Sequence, residues 1–253
     1  MRLSIARPAR STLFALLAAA LWAAIAGALS PARAGDLADF NAAVEAVSSH
    51  NRVAIGYLRT DNIDLASLEL DRMRAAWHKL TARFAGHPPD AFAGNPLYPT
   101  LFTGIDARLV GADMMLNSGR LPAAQQSLEA VREDFHKLRQ KSGIVVLADC
   151  IGDASKAGNA LMAYDKHGLD LSKPEVRYAI AGNAAIYGHE LARCDAMASD
   201  TIRKDPEFRR MIDGAQHSLT FIPKVIGERD SNLFHRVVGE LRAIDNLLLF
   251  RFG

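Results

Sequence analysis

The residues best able to do chemistry in this chain stand in patterns that each stop short of a known site. His189-Glu190-Leu191-Ala192-Arg193 begins like the zinc-hydrolase helix His-Glu-x-x-His, where two imidazoles one turn apart hold the metal. Arg193 stands in place of the second imidazole, and a guanidinium offers no lone pair to zinc. The simpler reading pairs Glu190, Arg193 and Asp195 as surface ions. The eight His fall at 50, 78, 87, 136, 167, 189, 217 and 235. No two are three or four apart, so no helix presents a two-His metal face. Asp149 and Asp153 are one turn apart and would share either a cation or, more simply, a solvated stripe with Lys156. Glu133 and His136 have the Glu-x-x-His spacing of carboxylate di-metal bundles, which need that pair twice. The matching helix offers Ala75 and His78, so the second copy is missing.

Redox and nucleophilic chemistry fare no better. Cys-x-x-Cys-His is absent, which removes the usual covalent haem attachment. A b-type haem needs only His and Met facing across a bundle, and Met73, Met114, Met115, Met162, Met197 and Met211 are available. Methionine in a helical core is ordinarily filler. No Gly-rich phosphate loop and no Gly-x-Ser-x-Gly occur. The expectation is no catalytic site, no metal and no cofactor. One irregular stretch has the length to carry function, the loop from Gly86 to Pro99. Its candidate residues are His87, Pro88, Pro89, Asn95 and Tyr98; as a plain rigid link the loop would do nothing more.

The two cysteines, Cys150 and Cys194, are even in number and widely spaced. In an antiparallel hairpin turning near residue 170 they face each other, within about one turn of the register that pairs Gly158 with Gly182. These glycines sit in two Ala-Gly-Asn segments and would let the backbones approach. A disulfide is therefore expected. The chain-entropy model assigns such a loop roughly 4 kcal/mol.

The elements that must position these residues read as helices throughout. Ala, Leu, Arg, Glu and Met dominate, and alternating β-branched runs are nearly absent. Caps and breakers divide the chain. Helix one is expected over about 37–59 and helix two from an Asp61 or Asn62 cap to 84. Helix three runs over 100–117, and helix four from Pro122 to 141 with Gly143 as its stop. Helix five is expected over 145–166, and helix six from a Ser172/Glu175 capping box to 199. Helix seven opens at Asp205-Pro206 and is broken by Pro223; helix eight follows Asp230 or Ser231. Turns near 61, 119, 170 and 230 make an all-α chain of about eight helices. They form four antiparallel hairpins, packed in a bundle or short superhelical array. Trp77-His78-Lys79-Leu80 lies over Phe135-His136-Lys137-Leu138, which suggests related hairpins or shared amphipathic patterning. Between Tyr178 and Gly188 no side chain is charged, and helix three carries only Asp106, Arg108 and Asp113. Such helices are expected to be buried on most sides.

The first 34 residues read as a cleaved signal peptide: Arg2, Arg7 and Arg10, an apolar run to Ala32, Pro31 as breaker and Ala32-Arg33-Ala34 as the cleavage box. Residues 35–253 then form the helical domain, with a sub-division near 141–145 left open. No cysteine follows the box and no Arg pair precedes it, against lipoprotein or twin-Arg export. Removing the leader takes four arginines and no acid, leaving 26 Lys+Arg against 28 Asp+Glu. That balance gives no electrostatic reason for nucleic-acid binding. No membrane association is expected after cleavage. The leading expectation is a periplasmic or secreted binding or adaptor protein, holding an unidentified protein partner or small ligand. The alternatives are a redox or metal-binding bundle and a hydrolase of unfamiliar site.

Overall fold

Asn62, Asp205 and Asp230 open three of the helices, and each does so by accepting backbone N–H groups that the first turn leaves unpaired. The computed structural model describes residues 34–165 and 168–253; residues 1–33 of the expected leader, with Lys166 and His167, lie outside the described residues. Among the described residues there is no strand. The helices are α1 (Ala34–Leu58), α2 (Ile63–Phe84), α3 (Tyr98–Asn117), α4 (Leu121–Lys141), α5 (Leu147–Met162), α6 (Pro174–Met197), α7 (Asp200–Arg203), α8 (Pro206–Leu219), α9 (Ile222–Glu228) and α10 (Ser231–Phe252). Gly119 and Gly143 hold φ of 71° and 67°, which a side chain would strain, and so end the hairpin turn and α4 sharply. Pro223 lies in the first turn of α9, so the expected break falls between α8 and α9.

The hairpins close into two rings. Helix α1 packs on α2, α2 on α3, α3 on α4 and α4 back on α1; likewise α5 packs on α6, α6 on α8, α8 on α10 and α10 on α5. Buried apolar side chains accordingly gather in two clusters, one from Phe40 to Leu138 and one from Cys150 to Leu248. The first is aromatic. Trp77 stacks on Phe102 at 5.5 Å and meets Phe135 edge-on at 6.2 Å, so the two related segments point into one core. The Trp77 Nε1–H donates to Asp106 at 2.6 Å.

The second cluster holds the sulfur bridge. Cys150 and Cys194 are bonded across α5 and α6 with Cα atoms 5.5 Å apart. The register differs from the expected one. Gly158 faces Tyr187, while Gly182 has nothing within 4 Å of where a Cβ would stand. Two helix ends also differ. Helix α5 stops at Met162. Ser172 is held by Asp170 through both N–H and hydroxyl, so it cannot cap, and α6 starts after Lys173 with no side-chain cap. The two rings meet through polar groups: Arg52 donates to the Gly253 oxygen at 2.6 Å and Arg59 to Asn246 at 3.3 Å.

Candidate functional site

Helix α6 buries Ile180, Ala184, Tyr187, Leu191 and Cys194, a seam of alternating four- and three-residue steps. One seam uses only a third of the helix surface. The rest of the charge-free stretch therefore faces out: Tyr178 is 77% exposed and Ile186 55%. The expectation that this stretch is buried on most sides does not hold, because α8 and α9 cover only part of it. Where α8 ends at Leu219 and Pro223 forces a new helix, the chain steps away from α6 and leaves an open groove of about 640 Å³.

Small residues form the α6 wall, including Ala181, Ala185 and Gly188; Leu219, Pro223 and Ile226 stand opposite. No lining side chain is charged. The two polar ones are already engaged: Gln216 donates from Nε2 to the Gly188 carbonyl at 2.8 Å, and the Thr220 hydroxyl donates to the His217 carbonyl at 2.6 Å. A Cβ at Gly188 would stand 3.4 Å from Leu219 Cδ1, so the missing side chain leaves the two walls room at their closest approach. The groove offers a ligand shape and methyl surface and almost no polar grip.

The acid and base pairs read one by one in the sequence converge on a single network across α4, α5 and α6. Arg139 and Asp149, both buried, form a two-pronged pair at 2.6 and 2.5 Å. His136 lies 3.3 Å from Asp149 and 3.6 Å from Asp153; Lys156 lies 3.2 Å from Glu133. Arg193 bonds Glu190 at 2.8 Å and reaches Asp153 at 3.5 Å, while Asp195 pairs with Arg209. Each carboxylate meets a cation, and among the described residues no group of three or more His, Cys, Asp or Glu is placed to hold a metal. The arrangement ties the two rings together.

The candidate loop turns inward. Phe92, in a short 3₁₀ turn, inserts between Phe40 and Tyr98 at ring distances of 5.0 and 5.7 Å. Tyr98 donates its hydroxyl to the Phe84 carbonyl at 2.7 Å, and burial pushes its pKa up to about 12. Asn95 donates to the Leu138 carbonyl at 3.0 Å and to the Ser142 hydroxyl at 2.7 Å. Pro89 is buried; His87 and Pro88 remain exposed. Asn95 and Tyr98 are thus committed to closing the end of the first ring.

Inside the second ring Asp245 is 5% exposed. Ser155 donates to it at 2.7 Å and Tyr187 at 3.3 Å. Burial pushes the Asp245 carboxyl above its ordinary value, only partly offset by these bonds and by Arg132 and Arg59. Burial and the neighbouring carboxylate push Tyr187 up as well. Asp245, Ser155 and Tyr187 are all buried, so the cluster is a polar contact within the core of the second ring. Glu69 is the converse case: burial raises it, but hydrogen bonds from His50 and Arg72 win and leave it below the usual range.

No family model, curated protein or solved structure matches the chain. The site must be argued from its own geometry, and the groove beside α6 is a surface that the described residues leave uncovered. Sequence reading singled out the stretch from Tyr178 to Gly188 by its missing charge, but placed it inside. What it missed were Leu219, Pro223 and Ile226, whose only signal was the proline break.

Proposed function

We propose that the protein is an exported, non-catalytic binding or adaptor module that seats the apolar face of a partner helix in the groove between α6 and α8–α9. The observation that carries this reading is the exposure of a stretch with no charge. Tyr178, one turn before Ala181 on α6, and Phe221, between the lining residues Thr220 and Ile222, are 77 and 38% exposed and extend the apolar surface beyond the groove itself. Water-exposed apolar patches of this kind on a folded protein mark sites that something else covers. A small molecule of pocket size would fill the groove and leave those two side chains wet. A helix laid along α6 covers both. Alanine and glycine on the α6 wall let its backbone come close, in the helix-in-groove mode. The uncharged lining selects an uncharged apolar stripe.

Export rests on the leader-like first 34 residues and is supported by a fully buried disulfide, a bond that persists in oxidising compartments. The test is a titration of ¹⁵N-labelled protein with a synthetic helical peptide carrying a Leu/Ala stripe and Gln elsewhere. The amides of Gly188 and Gly227, both in the groove wall, should shift and saturate. Ala185→Glu, at an exposed position, should weaken binding at least tenfold with unchanged circular dichroism. Shifts confined to other surfaces, or equal binding by the variant, would contradict the reading.

A further inference from the structure

A second groove lies on the opposite kind of surface, along the outer seam of α1 and α2, and its volume is about 490 Å³. Its floor is methyl: Ala43 and Ala46 from α1, Ala75 and Ala76 from α2. Its rim is cationic: Arg72, Lys79 and Arg83 from α2, with the His50 imidazole from α1, and no carboxylate lines it. We infer that this seam docks an acidic amphipathic helix of a partner protein, whose apolar stripe rests on the alanine floor while its flanking carboxylates meet Arg72, Lys79 and Arg83.

The charges around the rim decide the sign. Glu69 lies beneath it and is only 7% exposed. It lies under His50 at 2.8 Å and Arg72 at 2.5 Å, so one sunken acid serves two basic groups. Asp39 pairs with Arg83 at one end of the groove. Lys79 has no carboxylate partner among the described residues. Asp39 is itself half exposed and offsets Arg83 there, so the positive charge that an approaching molecule meets comes mainly from Arg72, with its side chain 54% exposed, and from Lys79.

Length and shape favour a helix over other anions. From Arg72 to Arg83 the seam runs eleven residues, about 16 Å or three turns. Ala43 and Ala46 are one turn apart on α1, and on α2 the lining recurs turn by turn at Arg72, Ala75–Ala76, Lys79–Leu80 and Arg83–Phe84, which matches the periodic contact a helix makes. A flat bilayer surface would touch the rim and miss the floor. Nothing in this inference depends on the groove beside α6, because the two surfaces belong to different rings.

The experiment compares two synthetic helical peptides with one Leu/Ala stripe, flanked by Glu in one and by Lys in the other. Titrated into ¹⁵N-labelled protein, the Glu peptide should shift Ala46, Ala75 and Lys79 and bind at least tenfold more tightly than the Lys peptide. Its affinity should fall as salt rises. Lys79→Glu, at an exposed position, should cost at least tenfold, and Ala46→Gln should do the same by filling the floor, both with unchanged circular dichroism. Equal affinity for the two peptides, shifts lying elsewhere, or no saturable binding of the Glu peptide would overturn the inference. So would sedimentation with phosphatidylglycerol vesicles through this seam in preference to the peptide, or self-association abolished by Lys79→Glu.

Discussion

Two Ala-Gly-Asn segments with the same local sequence are placed in opposite surroundings, and alanine substitutions at their centres should have opposite effects on stability. At Gly158 an added Cβ would stand 2.9 Å from Tyr187 Cζ, 3.0 Å from Tyr187 Cε2 and 3.2 Å from Met162 Cε. An ordinary carbon contact needs about 3.5 Å or more, so the ring must move by roughly half an ångström. Tyr187 is fully buried, and its hydroxyl already reaches Asp245 at 3.3 Å, so the same movement stretches that bond out of range. Overpacking of this kind costs about 1–3 kcal/mol, and the weakened bond to a buried carboxylate adds roughly 1 kcal/mol. Alanine recovers about 1 kcal/mol of helix propensity over glycine. The net expectation for Gly158→Ala is a loss of about 1–3 kcal/mol. At Gly182 nothing lies within 4 Å, so Gly182→Ala keeps only the propensity gain and should stabilise by up to about 1 kcal/mol. Urea unfolding followed by circular dichroism, with the disulfide intact, reads both. A neutral Gly158→Ala, or a Gly182→Ala that destabilises as much, would refute the register of α5 against α6 on which the exposed face of α6 depends.

Three further outcomes follow from the buried polar and sulfur chemistry. Replacing Cys150 and Cys194 by Ser opens a cross-link of sequence separation 44 and should cost roughly 4 kcal/mol; the denatured, unreduced wild-type should titrate no free thiol. Asp245 binds its proton more tightly folded than unfolded, so its contribution is intact below the ordinary carboxylate value of 3.8 and is lost as pH rises through the raised one. The difference in unfolding free energy between wild-type and Asp245→Asn should therefore fall with rising pH across that window, and a flat or rising difference would contradict the assignment. Asp149→Ala leaves the Arg139 charge buried without its partner and should cost about 3–5 kcal/mol, whereas Arg139→Met with Asp149→Leu should cost much less by the same unfolding assay.

Much of the fold was legible because helix ends leave chemical marks. Asn62, Asp205 and Asp230 cap as read, Gly119 and Gly143 end their elements, and Pro223 breaks the chain where expected. The bond between Cys150 and Cys194 was expected from their even number and the hairpin turn, although the pairing of Gly158 with Gly182 offered beside it did not hold. What the sequence hid lay where a local pattern had two physical meanings. Ser172 had a good capping spacing, yet Asp170 two residues earlier captured its hydroxyl. Charge marks the outward side of a helix, so a stretch without charge hides which side is outward; Tyr178 and Ile186 read as core for that reason. Glu133, His136, Asp149, Asp153 and Lys156 were each visible as spaced pairs. Their union depends on how α4 meets α5 across the 142–146 turn, which no local spacing encodes. Asn95 and Tyr98 stood out in a proline-rich loop, but only the packing of Phe92 between Phe40 and Tyr98 shows how that loop closes the ring.

The most direct test of a surface awaiting a partner is the reactivity of thiols placed along α6. In the isolated protein, Ala185→Cys, at an exposed position in the groove wall, should react with a maleimide at the rate of an open thiol, while Ile180→Cys, at a fully buried position on the same helix, should react far more slowly. Saturation with the Gln-flanked helical peptide should slow the reaction at 185 at least tenfold and leave that at 180 unchanged. A residue 185 thiol as sheltered as residue 180 in the free protein, or one that the bound peptide leaves equally reactive, would contradict the account.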